Sequence, residues 1–116
     1  MINSTSRVEK QIKFETNITF LEKLDIYEDY FKGKRIAVVD SNKLTFSEPN
    51  ETCDILNQLK ADLIKYFSGK PTTGIFDVLD SLIKNAEKKK NDYSEIVQFV
   101  VNTKFDIERK LYNNPH

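Results

Sequence analysis

The chain has no tryptophan, one histidine, one cysteine, three glycines and three prolines among its 116 residues, and the scarcity of cysteine, histidine and glycine each removes a class of chemistry. A single cysteine, Cys53, excludes an intrachain disulfide and any thiolate-rich metal site. The lone histidine, His116, is the last residue, where chains commonly fray, so a histidine-based triad is not expected, and one histidine is too few for a histidine metal cluster within one chain. Glycine occurs only at positions 33, 69 and 74. No G-x-x-x-x-G-K-[ST] loop can therefore cradle a phosphate, and the Gly33-Lys34 and Gly69-Lys70 pairs read as helix ends. Excess charge of either sign is also lacking: 18 Lys and Arg balance 18 Asp and Glu, and no third of the chain departs far from neutrality. No broad field gathers nucleic acid or anionic lipid.

Long hydrophobic runs are missing as well. None approaches the roughly 18 residues of a membrane span, and the polar start MINSTSRVEK lacks the apolar centre of a signal peptide. The expectation is a cytoplasmic protein. Asn3, Asn17 and Asn50 each open an N-x-[ST] triplet, which without an export signal is read as chance in an Asn-rich chain. Abundant Lys, Asn, Ile, Tyr and Phe beside few Ala, Gly and Arg point to an AT-rich coding sequence, such as that of a low-GC bacterium or its phage.

What is present is a globular composition, 39% hydrophobic and 31% charged, at a length suited to one domain with its own core. Periodicity organises the second half. Ile75, Val78, Leu79, Leu82, Ile83 and Ala86 recur at helical spacing. Thr72 or Thr73 caps this segment, Asp77 and Asp80 suit its positive end, and Lys88 to Lys90 suit its negative end before Asn91 stops it. Asp92 with Glu95 then opens a last helix. On this helix Tyr93, Ile96, Val97, Val100, Val101, Phe105, Ile107 and Leu111 fall within about half the circumference, with Phe99 outside it.

The first half reads as mixed. Residues 1–7 and 114–116 are expected to fray, leaving a single domain over 8–113. The alternation of Ile12 and Phe14 with Lys13 and Glu15 predicts a short strand within residues 8–16. Thr19 with Glu22 forms a capping box for a helix from Phe20 to about Lys32, ended by a left-handed Gly33 and striped by Phe20, Leu21, Leu24, Tyr27, Tyr30 and Phe31. RIAVVDSNKLTF then reads as a hairpin, with Ile36 to Val39 and Leu44 to Phe46 as strands around an Asp40-Ser41-Asn42 turn. Ser47 and Pro49 start a second helix that Ile55, Leu56, Leu59, Leu63, Tyr66 and Phe67 line as far as Gly69. The predicted fold is α+β, four helices with a small antiparallel sheet made of the hairpin and the N-terminal strand.

Candidate chemistry is thin. Cys53 near a helix start reads as a small core residue, since no base accompanies it. Asp40 closes an apolar run and reads as a turn former rather than a metal ligand. Asp77, Asp80 and Glu87 share a helix at spacings that 18 acids produce by chance. No catalytic, cofactor-binding or metal-binding set emerges.

The remaining signal is apolar excess on the second and last helices, with Ile26 and Phe99 lying off their helices' stripes. It predicts a non-catalytic regulator, inhibitor, immunity protein or assembly factor that binds another protein, or a second copy as a homodimer, through Ile96, Phe99, Val100, Ile107 and Leu111. The alternative is a nucleic-acid-binding regulator using Lys84, Lys88, Lys89 and Lys90 on phosphates.

Overall fold

A computed structural model describes residues 11–40, 51–69 and 74–113. Four helices account for most of them: α1 (Phe20–Asp40), α2 (Glu51–Tyr66), α3 (Ile75–Glu87) and α4 (Tyr93–Asn113). There is no strand among the described residues, so the architecture is all-α and the α+β expectation is corrected.

The error lies at Gly33. The sequence suggests a helix stop there, followed by strand formers, yet α1 runs through Gly33 to Asp40. Gly33 is not in the left-handed region. Beyond it, Lys34 Nζ forms an ion pair with Glu51 Oε2 at 3.1 Å and lies over the Tyr30 ring, while Tyr30 donates its hydroxyl proton to the same carboxylate. These ties to the start of α2 hold the next turn in helical register, and tertiary contact overrides the preference of Ile36 to Val39 for strand. The other half of the expected hairpin, Leu44 to Phe46, lies outside the described residues, as do Ser47 and Pro49 at the expected start of α2; Thr72 and Thr73 also lie outside them, and the N-cap of α3 is Gly74, with no side-chain cap bond, rather than either threonine. The ends, 1–7 and 114–116, lie outside them as well.

The expected N-terminal strand is also corrected. Residues 11–15 have no strand partner, although the alternation was physically meaningful. Ile12 and Phe14 pack on the core while Gln11, Lys13 and Glu15 are exposed.

Helix boundaries follow local chemistry. The Thr19–Glu22 capping box is complete: Thr19 Oγ1 accepts from Glu22 N–H at 3.1 Å, and Glu22 Oε1 accepts from Thr19 N–H at 2.8 Å. Asp92 Oδ1 accepts from Glu95 N–H at 3.2 Å at the start of α4. The α2–α3 connection is bounded by Gly69 and Gly74, at φ 76° and 75°, a backbone region that glycine enters without steric cost.

Cross-links between helices fix their directions. Phe20 stacks on Tyr66, and Tyr30 bonds to Glu51, so α1 and α2 run antiparallel. Phe67 meets Phe76 edge-on, and Lys60 pairs with Asp80 at 2.8 Å, so α3 turns back along α2. Phe31 lies 6.5 Å from Tyr93, and Lys104 reaches Glu28, so α4 runs antiparallel to α1. The result is an up-down-up-down bundle. The α1 and α4 backbones pack closely, as do those of α2 and α3, whereas α1 and α2 are joined mainly through large side chains. The core centres on Leu24, Tyr27 and Phe31 from α1, Ile55, Leu56, Leu59 and Leu63 from α2, Leu79 from α3, and Ile96 and Val100 from α4.

Candidate functional site

The five residues expected to meet a partner divide sharply. Ile96, Phe99, Val100 and Ile107 are buried within the single chain, and only Leu111, at 57%, is exposed. The buried arc of α4 is also rotated from the expected one. Phe99 is inside it, and Phe105, expected on the stripe, is the most exposed large apolar side chain among the described residues at 63%. Thr103 explains the rotation: it is 2% exposed and belongs to the buried face with Ile96, Val100 and Ile107. Counting Thr103 as a core position would have moved the stripe toward Phe99.

The same rotation leaves a seam between α3 and α4 that the side chains do not close. On α3 the buried residues Ile75, Leu79, Leu82, Ile83 and Ala86 turn toward the core, leaving Val78 half exposed beside Gly74, Ser81 and Asn85. On α4 the facing positions are Glu95, Gln98, Asn102 and Asp106, with Phe99 and Thr103 beneath them. Small and polar groups thus stand where a tight helix pair would interdigitate apolar ones. The outcome is an open groove of about 540 Å³. Its floor is Leu82, Phe99 and Ile75, Val78 forms an apolar lip, and amides line the walls. Gln98 Nε2 donates to Asn102 Oδ1 at 3.0 Å, so the α4 wall is partly preorganised. Both charged residues lining the groove are acidic, Glu95 and Asp106, set about 16 Å apart by the helical rise. Arg109 pairs with Asp106 at 2.9 Å from the outer side.

The four lysines of the nucleic-acid alternative are all exposed. Lys84 is on α3, and the other three form its C-terminal turn. Lys89 adopts φ 60°, its N–H donates to Ala86 C=O at 2.9 Å, and Lys90 N–H donates to Asn85 C=O at 2.8 Å. These are the two bonds of a Schellman cap, so Lys89, not Asn91, ends the helix. The cations lie at the negative end of the helix, where the dipole favours them.

Two charged or polar arrangements escaped the sequence reading. Glu28, only 9% exposed on α1, accepts from Lys104 of α4 at 2.8 Å and forms an ion pair with Lys32 at 2.8 Å; Lys104 also pairs with Asp25. Hydrogen bonds from Lys104 and then Lys32 hold the Glu28 carboxyl below its usual range despite the opposing effect of burial. Burial works against the charge on Lys104, but hydrogen bonds and attraction from Asp25 and Glu28 outweigh it, and its pKa is raised. The signal present in the sequence was opposite charges at core-facing register positions of two helices, Glu28 between Leu24 and Phe31 and Lys104 between Val100 and Ile107.

The second arrangement is the fully buried Tyr27, which donates to Asp62 Oδ2 at 2.5 Å. Burial first, then the hydrogen bond and charge of Asp62, push its phenol far above the ordinary range. A phenol so held keeps its proton and serves as a structural donor.

The remaining candidates are dispersed. Asp80 is engaged with Lys60 on α2, while Asp77 and Glu87 are exposed elsewhere on α3. Asp40 is the last residue of α1 and not the end of a strand. Cys53 packs against the core, and Asn57 donates to its carbonyl oxygen at 2.9 Å. Among the described residues no group of three or more His, Cys, Asp or Glu side chains is placed to hold a metal ion, and no helix is long and apolar enough to cross a membrane. Comparison with protein-family models, with curated proteins and with solved structures yields no match.

Proposed function

We propose that this chain is a non-catalytic cytoplasmic protein, of the regulator, inhibitor, immunity or assembly-factor kind, that binds another protein through the α3/α4 groove. The observation that carries the reading is the unclosed seam: an apolar floor, a half-exposed Val78 and polar amide walls along about three turns of helix. Such a trough suits an amphipathic helix laid between α3 and α4, whose apolar residues seat on Leu82 and Phe99 and whose polar groups meet Ser81, Asn85, Gln98 and Asn102. The Glu95 carboxylate favours a partner segment carrying a basic residue and disfavours a phosphate backbone, whereas Asp106 is already paired with Arg109.

On this reading the partner surface lies one face away from the buried Ile96, Val100 and Ile107, with Phe99 shared between core and groove. A second copy of the chain would be a partner of the same kind. The lysine turn gives the nucleic-acid reading no separate support, because helix termination already accounts for its geometry.

Affinity capture from cells of the source organism tests the proposal. A protein retained by the unaltered chain and by Ile64→Asp, which changes an exposed position on α2, but lost with Val78→Asp supports the groove. Equal retention by both variants assigns binding to another surface and refutes it.

A further inference from the structure

The outer face of α4 is complementary to itself about Asn102. Three positions to either side stand Phe99 and Phe105, four to either side Gln98 and Asp106, and seven to either side Glu95 and Arg109. Spacings of three, four and seven bring residues onto one side of a helix, so all of these share a stripe with Asn102.

Within each pair the two members differ as the two sides of a contact do. Phe99 is 7% exposed and floors the groove beside Leu82, whereas Phe105 stands 63% exposed. Gln98 carries a donor amide and Asp106 an acceptor carboxylate. The exposed Glu95 carboxylate makes no ion pair among the described residues. Arg109, 68% exposed, directs Nη2 to Asp106 and keeps further N–H donors to offer. Reversing the helix about Asn102 therefore sets ring over hollow, base against acid and amide against carboxylate. A two-fold axis through Asn102 performs that reversal between two copies of the chain.

Building on the binding role of the groove, we propose that its occupant is α4 of a second copy of the chain, laid antiparallel across Asn102. Each Phe105 enters the other copy's groove above Phe99 and Leu82, and each Arg109 meets the other copy's Glu95. Asn102 lies on the axis. Its oxygen accepts from Gln98, and its N–H groups face the same residue of the second copy, a polar pairing that fixes register in helix dimers. The charged ends are within reach. Glu95 and Arg109 lie about 10 Å along the helix from Asn102, where helices crossing at about 20° have drifted sideways by only about 4 Å, which two long side chains span. An unrelated helix fills the groove but leaves Phe105 in water, whereas a second copy covers hollow and ring with one contact.

Sedimentation of the purified full chain across a concentration series tests this. The unaltered protein is expected to pass from monomer to dimer with a dissociation constant on the order of 10 µM, as suits a small interface. Phe105→Ser, an exposed change that leaves the core alone, is expected to weaken dimerisation by about thirtyfold. Glu95→Arg and Arg109→Glu are each expected to weaken it by about tenfold, since each sets like charges together at both ends of the contact. Mixing those two variants is expected to restore dimers, because an arginine then faces a glutamate at both ends. Neither misfolding nor a general loss of charge produces that rescue. A chain that stays monomeric to about 300 µM overturns the second copy as occupant, and Val78-dependent capture of another protein then judges the groove by itself. Dimers that withstand Phe105→Ser, or charge variants that pair no better mixed than alone, overturn the proposal as well.

Discussion

Lys104 and Glu28, 76 positions apart in the chain, meet at 2.8 Å and tie α4 to α1 at a point where both helices otherwise present apolar faces. Glu28 is nearly enclosed, so removing its main partner leaves a charge poorly solvated. Lys104→Met is expected to lower stability by about 2 kcal/mol, read from urea unfolding near neutral pH. The sign with pH follows from the depressed Glu28 carboxyl. Its stabilisation is complete above the ordinary glutamate range, near about 4.3, and is lost as pH falls through the lower folded value. The gap between the unaltered chain and Lys104→Met should therefore narrow in acid. The raised Lys104 makes the complementary contribution, complete below the ordinary lysine range and lost as pH rises through its higher folded value.

Gly33 gives a test of the continuous α1 helix. It sits inside the helix with right-handed backbone, and a Cβ added there would meet nothing within 4 Å. Gly33→Ala is expected to stabilise the protein by about 0.5–1 kcal/mol, a rise of roughly 3–5 °C in Tm by calorimetry. Gly74→Ala, at φ 75°, is expected to do the reverse by about 1 kcal/mol. Loss of stability in Gly33→Ala would mean that the helix is interrupted at Gly33.

Lys89 holds a left-handed position that glycine fills more cheaply. Lys89→Gly is expected to add about 1 kcal/mol of stability, while Lys88→Gly, at φ −92°, adds none. Thermal unfolding of the two variants side by side separates the capping role from simple loss of charge, because both remove one lysine.

Tyr27→Phe removes the hydroxyl that meets Asp62 and keeps the ring in the core. The expected cost is about 1–2 kcal/mol in urea unfolding. The raised phenol pKa adds a pH signature: the native state holds a proton that the unfolded chain releases near about 10, so stability from Tyr27 declines above that pH and the decline disappears in the variant.

Helices α2, α3 and α4 were legible as helices because their apolar residues recur at helical spacing, and the start of α4 because Asp92 and Glu95 mark it, but the end of α3 and the exact face of α4 were misread. The start of α1 was legible for the same reason, through Thr19 and Glu22. Its second half was not. Gly33 and the β-branched Ile36, Val38 and Val39 oppose a helix locally, and the compensating bonds from Tyr30 and Lys34 to Glu51 join residues distant in sequence. The inward pointing of Ile12 and Phe14 was visible, but the identity of what pairs with them was not, since Gln58 lies 46 residues away on a helix. The groove was hidden by treating apolarity alone as the mark of a buried face. Thr103 is a buried polar residue of α4, Phe105 and Val78 are exposed apolar residues of α4 and α3, and together they turn the two stripes away from the α3/α4 seam.

The most direct test of the proposed binding role places a benzophenone-bearing residue at position 78, on the groove lip, and in a second preparation at position 64, on α2. Irradiation in cells of the source organism, followed by mass spectrometry, should give a defined cross-link to a protein from position 78 and none from position 64. Absence of any cross-link at 78, or the same set of products from both positions, would contradict the α3/α4 groove as the surface through which this protein acts.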